Sequence, residues 1–262
     1  MLLENIITSK DNPTVKLYQK LSSSKKERLQ YGLFVLEGQR IVTDALREES
    51  GITQLILTQK AQERFGEELL QADLRNTRTI VISNELGNKI ASTDTTQGVF
   101  AMCRIPLQRS VSSIMKSGGK YLVLFGLQDP GNVGMMIRTA DALGISGVIM
   151  SGSCDLYSPK VIRSTMGSVF RMKIAVENDA DKLFEELSGI TTSAAVIDKD
   201  AVPVTECKFD GAQAVFIGNE GNGLPADIAQ RCSRKVIIPM HGNINSLNAA
   251  MAAGILMWEL SK

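Results

Sequence analysis

The sequence holds a single histidine, His241, and only four cysteines, Cys103, Cys154, Cys207 and Cys232, far apart and in no CxxC pair. That inventory excludes a multi-histidine metal site and a closely spaced disulfide frame. The cysteines read as scattered reduced thiols, so we expect no metal and a cytoplasmic location. Aromatic residues make up just 5%. No run approaches the roughly 18 consecutive apolar residues that a membrane helix needs, so no membrane partner is expected. The opening MLLENIITSKDNP lacks a basic start followed by a long apolar stretch, and we expect no secretory signal there. A P-loop and a GxGxxG turn are also missing, which counts against a triphosphate or dinucleotide cradle.

What is present suffices for a large core: 262 residues, 44% of them hydrophobic and 22% charged. Net charge is only +1, but its distribution is uneven. Residues 1–30 carry Lys10, Lys16, Lys20, Lys25, Lys26 and Arg28 against Glu4, Asp11 and Glu27. Residues 104–120 and 156–176 are basic and contain no acid. Such stretches are either solvated faces or an electrostatic footprint for phosphates.

The segment RIPLQRSVSSIMKSGG, with its proline, serines and Gly-Gly pair, marks a break. It predicts a small N-terminal α/β domain over 1–104, a linker over 105–119 and a larger α/β domain over 120–262. In the first, the pattern predicts a helix from Val15 to about Gln30 and another over Gly38–Glu49. Strands are expected at Leu33–Leu36, Thr53–Thr58, Thr79–Ser83 and Gly98–Arg104. In the second, continuous apolar runs such as Tyr121–Leu127 and Ala214–Ile217 alternate with helical patterns, including Pro159–Val169 and Ser246–Glu259. That alternation predicts a parallel sheet covered on both faces. Leu247, Met251, Gly254, Ile255 and Trp258 share one face of the last helix at helical spacing.

Ligands of open α/β sheets bind beyond the carboxyl ends of strands. Three segments at such ends are unusual. Gln128-Asp129-Pro130-Gly131-Asn132 forces a turn, with Asn132 suited to cap the next helix and Arg138 in that helix's second turn. Gly218-Asn219-Glu220-Gly221-Asn222-Gly223 permits close backbone approach. Glu220 within it would repel a phosphate, which favours a neutral or cationic ligand. Met240-His241-Gly242-Asn243-Ile244-Asn245-Ser246-Leu247-Asn248 runs into the last helix. Asn245 or Ser246 can cap that helix, while Asn248 is expected inside it, where asparagine is a poor helix former. His241 reads as a loop residue.

These segments, in order and register, resemble the SpoU/TrmH family of RNA 2′-O-ribose methyltransferases. DPGNVGMMIRTADALG, FIGNEGNGLP and IPMHGNINSLNAAMAAGILMWE look like the family's three motifs. SPKVIRSTMGSVFRM is similar to its intervening segment, and FVLEGQRIVTDAL to an auxiliary RNA-binding domain carried by many members. The resemblance implies a C-terminal domain with a deep trefoil knot, a homodimer through that domain, and S-adenosyl-methionine as cofactor. It implies RNA as substrate, ribosomal RNA ahead of tRNA. The family's polar set maps onto Asn132, Arg138, Glu220, Ser246 and Asn248. The cofactor would lie against Gly218, Asn219, Glu220, Gly221, Ile238, Met240, Ser246 and Leu247. RNA would meet Lys10, Lys25, Lys26, Arg28 and Arg163. A guanidinium with a pKa above 12 is a poor base, so Arg138 is expected to act as a fixed cation beside a phosphate and the developing alkoxide. The rivals are a non-catalytic RNA-binding protein on the same fold, a methyltransferase of small molecules or proteins, and a dinucleotide enzyme.

Overall fold

The computed structural model describes residues 5–71, 77–242 and 246–262. They group into two compact units, Met1–Pro106 with Asp155–Phe170, and Leu107–Cys154 with Arg171–Lys262.

The first unit runs β1 (Ile6–Ile7), α1 (Pro13–Ser23), α2 (Lys25–Tyr31), β2 (Leu33–Glu37), α3 (Gln39–Arg47), β3 (Ile52–Thr58), α4 (Gln59–Leu70), β4 (Arg78–Ile82), α5 (Asn84–Ile90) and β5 (Val99–Arg104). Its sheet has the order β1-β4-β3-β5-β2 and is mixed: β5 runs antiparallel to both β2 and β3. Side chains alternate across it with period two. Leu36, Leu55, Leu57, Val99 and Ala101 enter one core, and Val35, Ile56, Phe100 and Met102 the other.

The helix expected over Val15–Gln30 is two helices. Ser24 is extended (φ −129°, ψ 118°), ending α1, and its hydroxyl accepts from the Glu27 N–H to start α2. Ser-x-x-Glu at a helix start is a capping-box pattern, and here it interrupts a periodicity that reads as continuous.

The second unit holds α6 (Val111–Ile114), β6 (Lys120–Phe125), α7 (Pro130–Ala142) and β7 (Gly147–Ser151). The chain then forms α8 (Pro159–Ser164) and α9 (Ser168–Arg171). It continues through β8 (Ile174–Val176), α10 (Ala180–Glu186), β9 (Thr191–Ala195), β10 (Val202–Pro203), β11 (Gln213–Ile217), α11 (Ala226–Arg231), β12 (Arg234–Ile237) and α12 (Ala249–Ser261). The seven strands are all parallel, in the order β10-β12-β9-β11-β6-β7-β8. β6, β7 and β11 are buried almost throughout, as strands covered on both faces must be. The chain passes from β6 to β7 on one side and returns as β11 on the other. The adjacent carboxyl ends of β6 and β11 therefore form a switch point, where such sheets bind ligands.

Two expectations change. The sequence reading assigns 155–170 to the second domain. In the structure Tyr157, Ile162, Val169 and Phe170 pack into the first unit's core with Phe34, Leu36 and Leu57. The helix expected over Pro159–Val169 breaks because Met166 (φ 49°) and Gly167 (φ 88°) take left-handed conformations. A Cβ on Gly167 would lie 2.4 Å from an Asp44 carboxylate oxygen.

In the last helix, the face that carries Met251, Ile255 and Trp258 is the outward one. The buried residues of the helix are Ala250, Ala253, Leu256, Met257 and Leu260, packed against α7, β6 and β11. Met251, Ile255 and Trp258 are exposed, Trp258 at 56%. A helix apolar on nearly every side offers periodicity no polar face from which to choose the inner one.

Candidate active site

Asp129 begins α7. Its carboxylate accepts from the N–H groups of Gly131 (2.6 Å) and Asn132 (3.0 Å), and Pro130 occupies the first turn, where a missing N–H costs nothing. The cap is thus Asp129 and not Asn132. That leaves the Asn132 amide free of capping, inside the first turn. Asn248 differs from expectation in the opposite sense. It is the N-cap of α12, accepting from Ala250 N (2.9 Å) and Met251 N (3.3 Å), and does not lie within the helix. Asn245, the other cap candidate beside Ser246, lies outside the described residues.

The glycine loop is closed on itself. Asn219 and Gly223 exchange main-chain hydrogen bonds of 3.0 and 2.9 Å. The Asn219 side chain accepts from Gly221 N and Asn222 N, and donates to Gly126 O at 2.9 Å. Gly218 is required by contact: a Cβ there would stand 2.2 Å from both the Gly223 carbonyl carbon and the Leu224 nitrogen.

Glu220 joins this loop to the start of α7. It accepts from Gln128 N (3.1 Å), Asp129 N (3.0 Å) and the Asn132 Nδ2 (3.2 Å). Asn132 Oδ1 in turn accepts from Asn248 Nδ2 at 3.2 Å. One line of hydrogen bonds, Asn248 to Asn132 to Glu220, therefore crosses all three sequence motifs. Partial burial pushes the Glu220 pKa up, but the main-chain N–H groups of Gln128 and Asp129 and the Asn132 amide outweigh it and hold the carboxyl below its ordinary value. Glu220 is therefore held ionised, with its charge set against the positive end of α7.

Beside this line lies a cavity of about 530 Å³, lined by Ile217–Leu224, Ile237, Ile238, Met240, Ser246, Leu247 and residues of α11 and α12. The expected cofactor residues Gly218, Asn219, Glu220, Gly221, Ile238, Met240, Ser246 and Leu247 all line it. At its rim Lys235 Nζ meets Asp198 Oδ2 at 2.8 Å, and that bond lowers the Asp198 pKa. The rest of the wall mixes aliphatic side chains and main chain with the uncharged polar residues Asn219, Asn222, Gln230 and Ser246. With its charged side chains engaged, the cavity suits a neutral or zwitterionic ligand without phosphates. His241 is exposed and lines no part of it.

Arg138 stands apart. It is exposed on α7, six residues after Asn132 and so about 120° away around the helix. Among the described residues it makes no hydrogen bond or ion pair, and it joins none of the line Asn248–Asn132–Glu220.

In the first unit, Lys10, Lys25 and Lys26 are exposed. Arg28, expected to meet RNA, is 5% exposed. Its guanidinium pairs with Asp155 at 2.6 Å and donates to Leu21 O, so burial and a carboxylate already claim it. Arg163 donates to the Ser92 hydroxyl and lies 3.8 Å from the buried Glu37 carboxylate, which leaves it only part of its charge for RNA.

Residues 119–258 match the SpoU rRNA Methylase family and residues 12–101 the MRM3-like substrate binding domain. The chain belongs to the SpoU methylase family, with an N-terminal substrate-binding domain of the kind found in that family. It is 31% identical over 258 residues to the 23S rRNA (guanosine(2553)-2′-O)-methyltransferase RlmP of Bacillus subtilis (strain 168), covering 97% of this chain and 98% of that one. The AdoMet-bound rRNA methyltransferase of Sinorhizobium meliloti superposes with a TM-score of 0.87 at 30% identity, covering 98% of this chain and 97% of the other. The SpoU methyltransferase AviRb of Streptomyces viridochromogenes, solved with AdoMet, gives 0.86 at 26% identity, covering 95% and 97%.

Proposed function

We propose that this chain methylates a ribose 2′-oxygen of RNA, with S-adenosyl-methionine as donor and ribosomal RNA ahead of tRNA as substrate. The observation that carries this is the hydrogen-bonded line Asn248–Asn132–Glu220, which places polar groups from three separate motifs at the edge of the cavity. A neutral adenosine fits a wall of main chain, aliphatic side chains and uncharged polar groups, so Gly218, Ile238, Met240 and Leu247 would hold the cofactor. When bound, it supplies a methyl group on a sulfonium. The chain's own residues do the rest. Glu220 fixes the turn 128–132, Asn132 presents its amide at the mouth, and Ser246 with Asn248 closes the other side. A trefoil knot through this region belongs to the same proposal.

Arg138 serves as the fixed cation that meets a phosphate of the substrate and the developing alkoxide. It shares an exposed side of α7 with Met135, which is 50% exposed, and Met251, Ile255 and Trp258 extend an apolar face on the neighbouring α12. We place the homodimer contact on this face, with Arg138 at its edge. Lys10, Lys25 and Lys26 supply phosphate contacts for the RNA, and the site of action is the cytoplasm. No helix among the described residues is long and apolar enough to cross a membrane.

The test is transfer of labelled methyl groups to RNA from cells lacking the protein, followed by nuclease mapping. Label in one 2′-O-methylated nucleotide is the expected result. The absence of label in any RNA, with S-adenosylhomocysteine still bound, would favour the non-catalytic RNA binder. Arg138→Ala is expected to abolish transfer while leaving that binding within about 2-fold, because removing a transition-state contact changes rate and not ground-state affinity.

A further inference from the structure

Beyond the main-chain N–H that it donates to Glu220, Gln128 has an exposed side chain that is tightly constrained. Its Nε2 donates to two main-chain carbonyls at once, Gly126 O at 3.1 Å and Gly152 O at 3.0 Å. Both partners are acceptors only, so the terminal atom that meets them is the nitrogen, and both its hydrogens are used. Gly126 O is further engaged by Asn219 Nδ2, and Gly152 N by Asn178 Oδ1, so both anchoring residues are themselves held. The remaining atom, Oε1, accepts from no described residue. The Gln128 amide is thus locked in orientation, and Gln128 lines an open hollow together with Asn132, Glu220, Ser246 and Asn248.

We infer that Gln128 reads the base of the nucleotide being methylated, its Oε1 accepting an N–H from the Watson–Crick edge of that base. The inference rests on the ribose methylation proposed above. A ribose held at Asn132 and Glu220 brings its own base to the same hollow, and unpaired RNA bases are read by hydrogen bonds to that edge. An acceptor that cannot rotate into a donor selects for N–H and against a bare ring nitrogen or a carbonyl. Such a site leaves its oxygen unpaired when the donor is missing, which is where polar recognition discriminates most strongly.

The experiment uses short RNAs spanning the position named for the Bacillus relative, with guanosine, inosine or 2-aminopurine riboside at the target. Inosine lacks the exocyclic amino group and 2-aminopurine lacks the N1–H. Wild-type enzyme is expected to methylate at least one of the two analogues about 10-fold more slowly than guanosine. Gln128→Met is expected to fall to that slower rate on guanosine and to treat all three RNAs within about 2-fold. Equal loss on all three with the wild-type ratios preserved would overturn the inference and leave Gln128 as a tie between strand ends. If Gln128→Met loses S-adenosylhomocysteine binding, the wild-type ratios decide alone, and equal rates on the three RNAs overturn it. Wild-type enzyme that methylates another RNA but not this guanosine, with no rate differing by target base there, also overturns it while leaving the reaction intact. Wild-type enzyme that methylates no RNA defeats the reaction itself.

Discussion

Asn248 does two jobs with two atoms of one amide. Its Oδ1 caps α12 and its Nδ2 donates to Asn132. Asn248→Asp keeps the capping oxygen and removes the donor, whereas Asn248→Ala removes both. Alanine is expected to cost about 1 kcal/mol of stability as a lost cap. Aspartate should unfold at close to the wild-type temperature yet lose transfer about as severely, which thermal melts beside single-turnover rates will show. Glu220→Gln tests the other end of the line. Losing one charge-assisted bond's worth of order should slow transfer about 10-fold at neutral pH. The sign with pH is fixed by the direction of the shift. Because the folded carboxyl lies below its ordinary value, its stabilisation is present above about pH 4.3 and is lost as pH falls through the folded value. The urea midpoints of wild type and Glu220→Gln should therefore differ at pH 7 and converge under acid conditions.

The helix and loop ends explain what was legible in the sequence. The strands stood out because β6, β7 and β11 are buried on both faces and so are written as short unbroken apolar runs. Helix starts did not, because Asp129 and Asn132, or Ser246 and Asn248, are equally good caps by residue type and only backbone geometry separates them. The glycine loop was legible as a loop of close approach, and Gly218 shows why. Gly218→Ala would force a Cβ into main chain 2.2 Å away, with no flexible side chain to yield. The variant is expected to lose S-adenosylhomocysteine binding by at least about 10-fold in calorimetry, since the loop that forms the cavity wall must open. Gln128 was not legible in the sequence, because the two carbonyls that orient it belong to residues 126 and 152, and a lone glutamine carries no signal by itself.

At the scale of the whole molecule, the sequence misled where partners are distant along the chain. Arg28 sits in a basic stretch and looks available, but its carboxylate is Asp155, 127 residues later. The stripe Met251–Ile255–Trp258 shares one face at helical spacing, but an all-apolar helix hides that this side is the outward one. Its exposure supports a second copy as its cover, and Trp258→Glu tests that. The variant is expected to sediment as a monomer at micromolar concentration while keeping its helical signal, since the residue is outside the core. Unchanged sedimentation would move the contact elsewhere. Basic surface residues Lys10, Lys25 and Lys26 should set the salt dependence of RNA affinity, as phosphate contacts do.

The stretch Asp155–Phe170 adds a constraint of timing. The first unit's sheet is finished at Arg104, yet its core lacks Ile162, Tyr157 and Phe170 until the chain has been made some 65 residues further, roughly 3–13 s of synthesis. During that interval Phe34 and its neighbours wait with a facing surface incomplete, and Arg28 waits without its carboxylate. The amino-terminal half of the protein is therefore expected to complete its core on the ribosome only after residues 155–170 have been made. Its last side chains arrive only after the first two strands of the second unit have emerged, so the two halves are bound to one order of assembly.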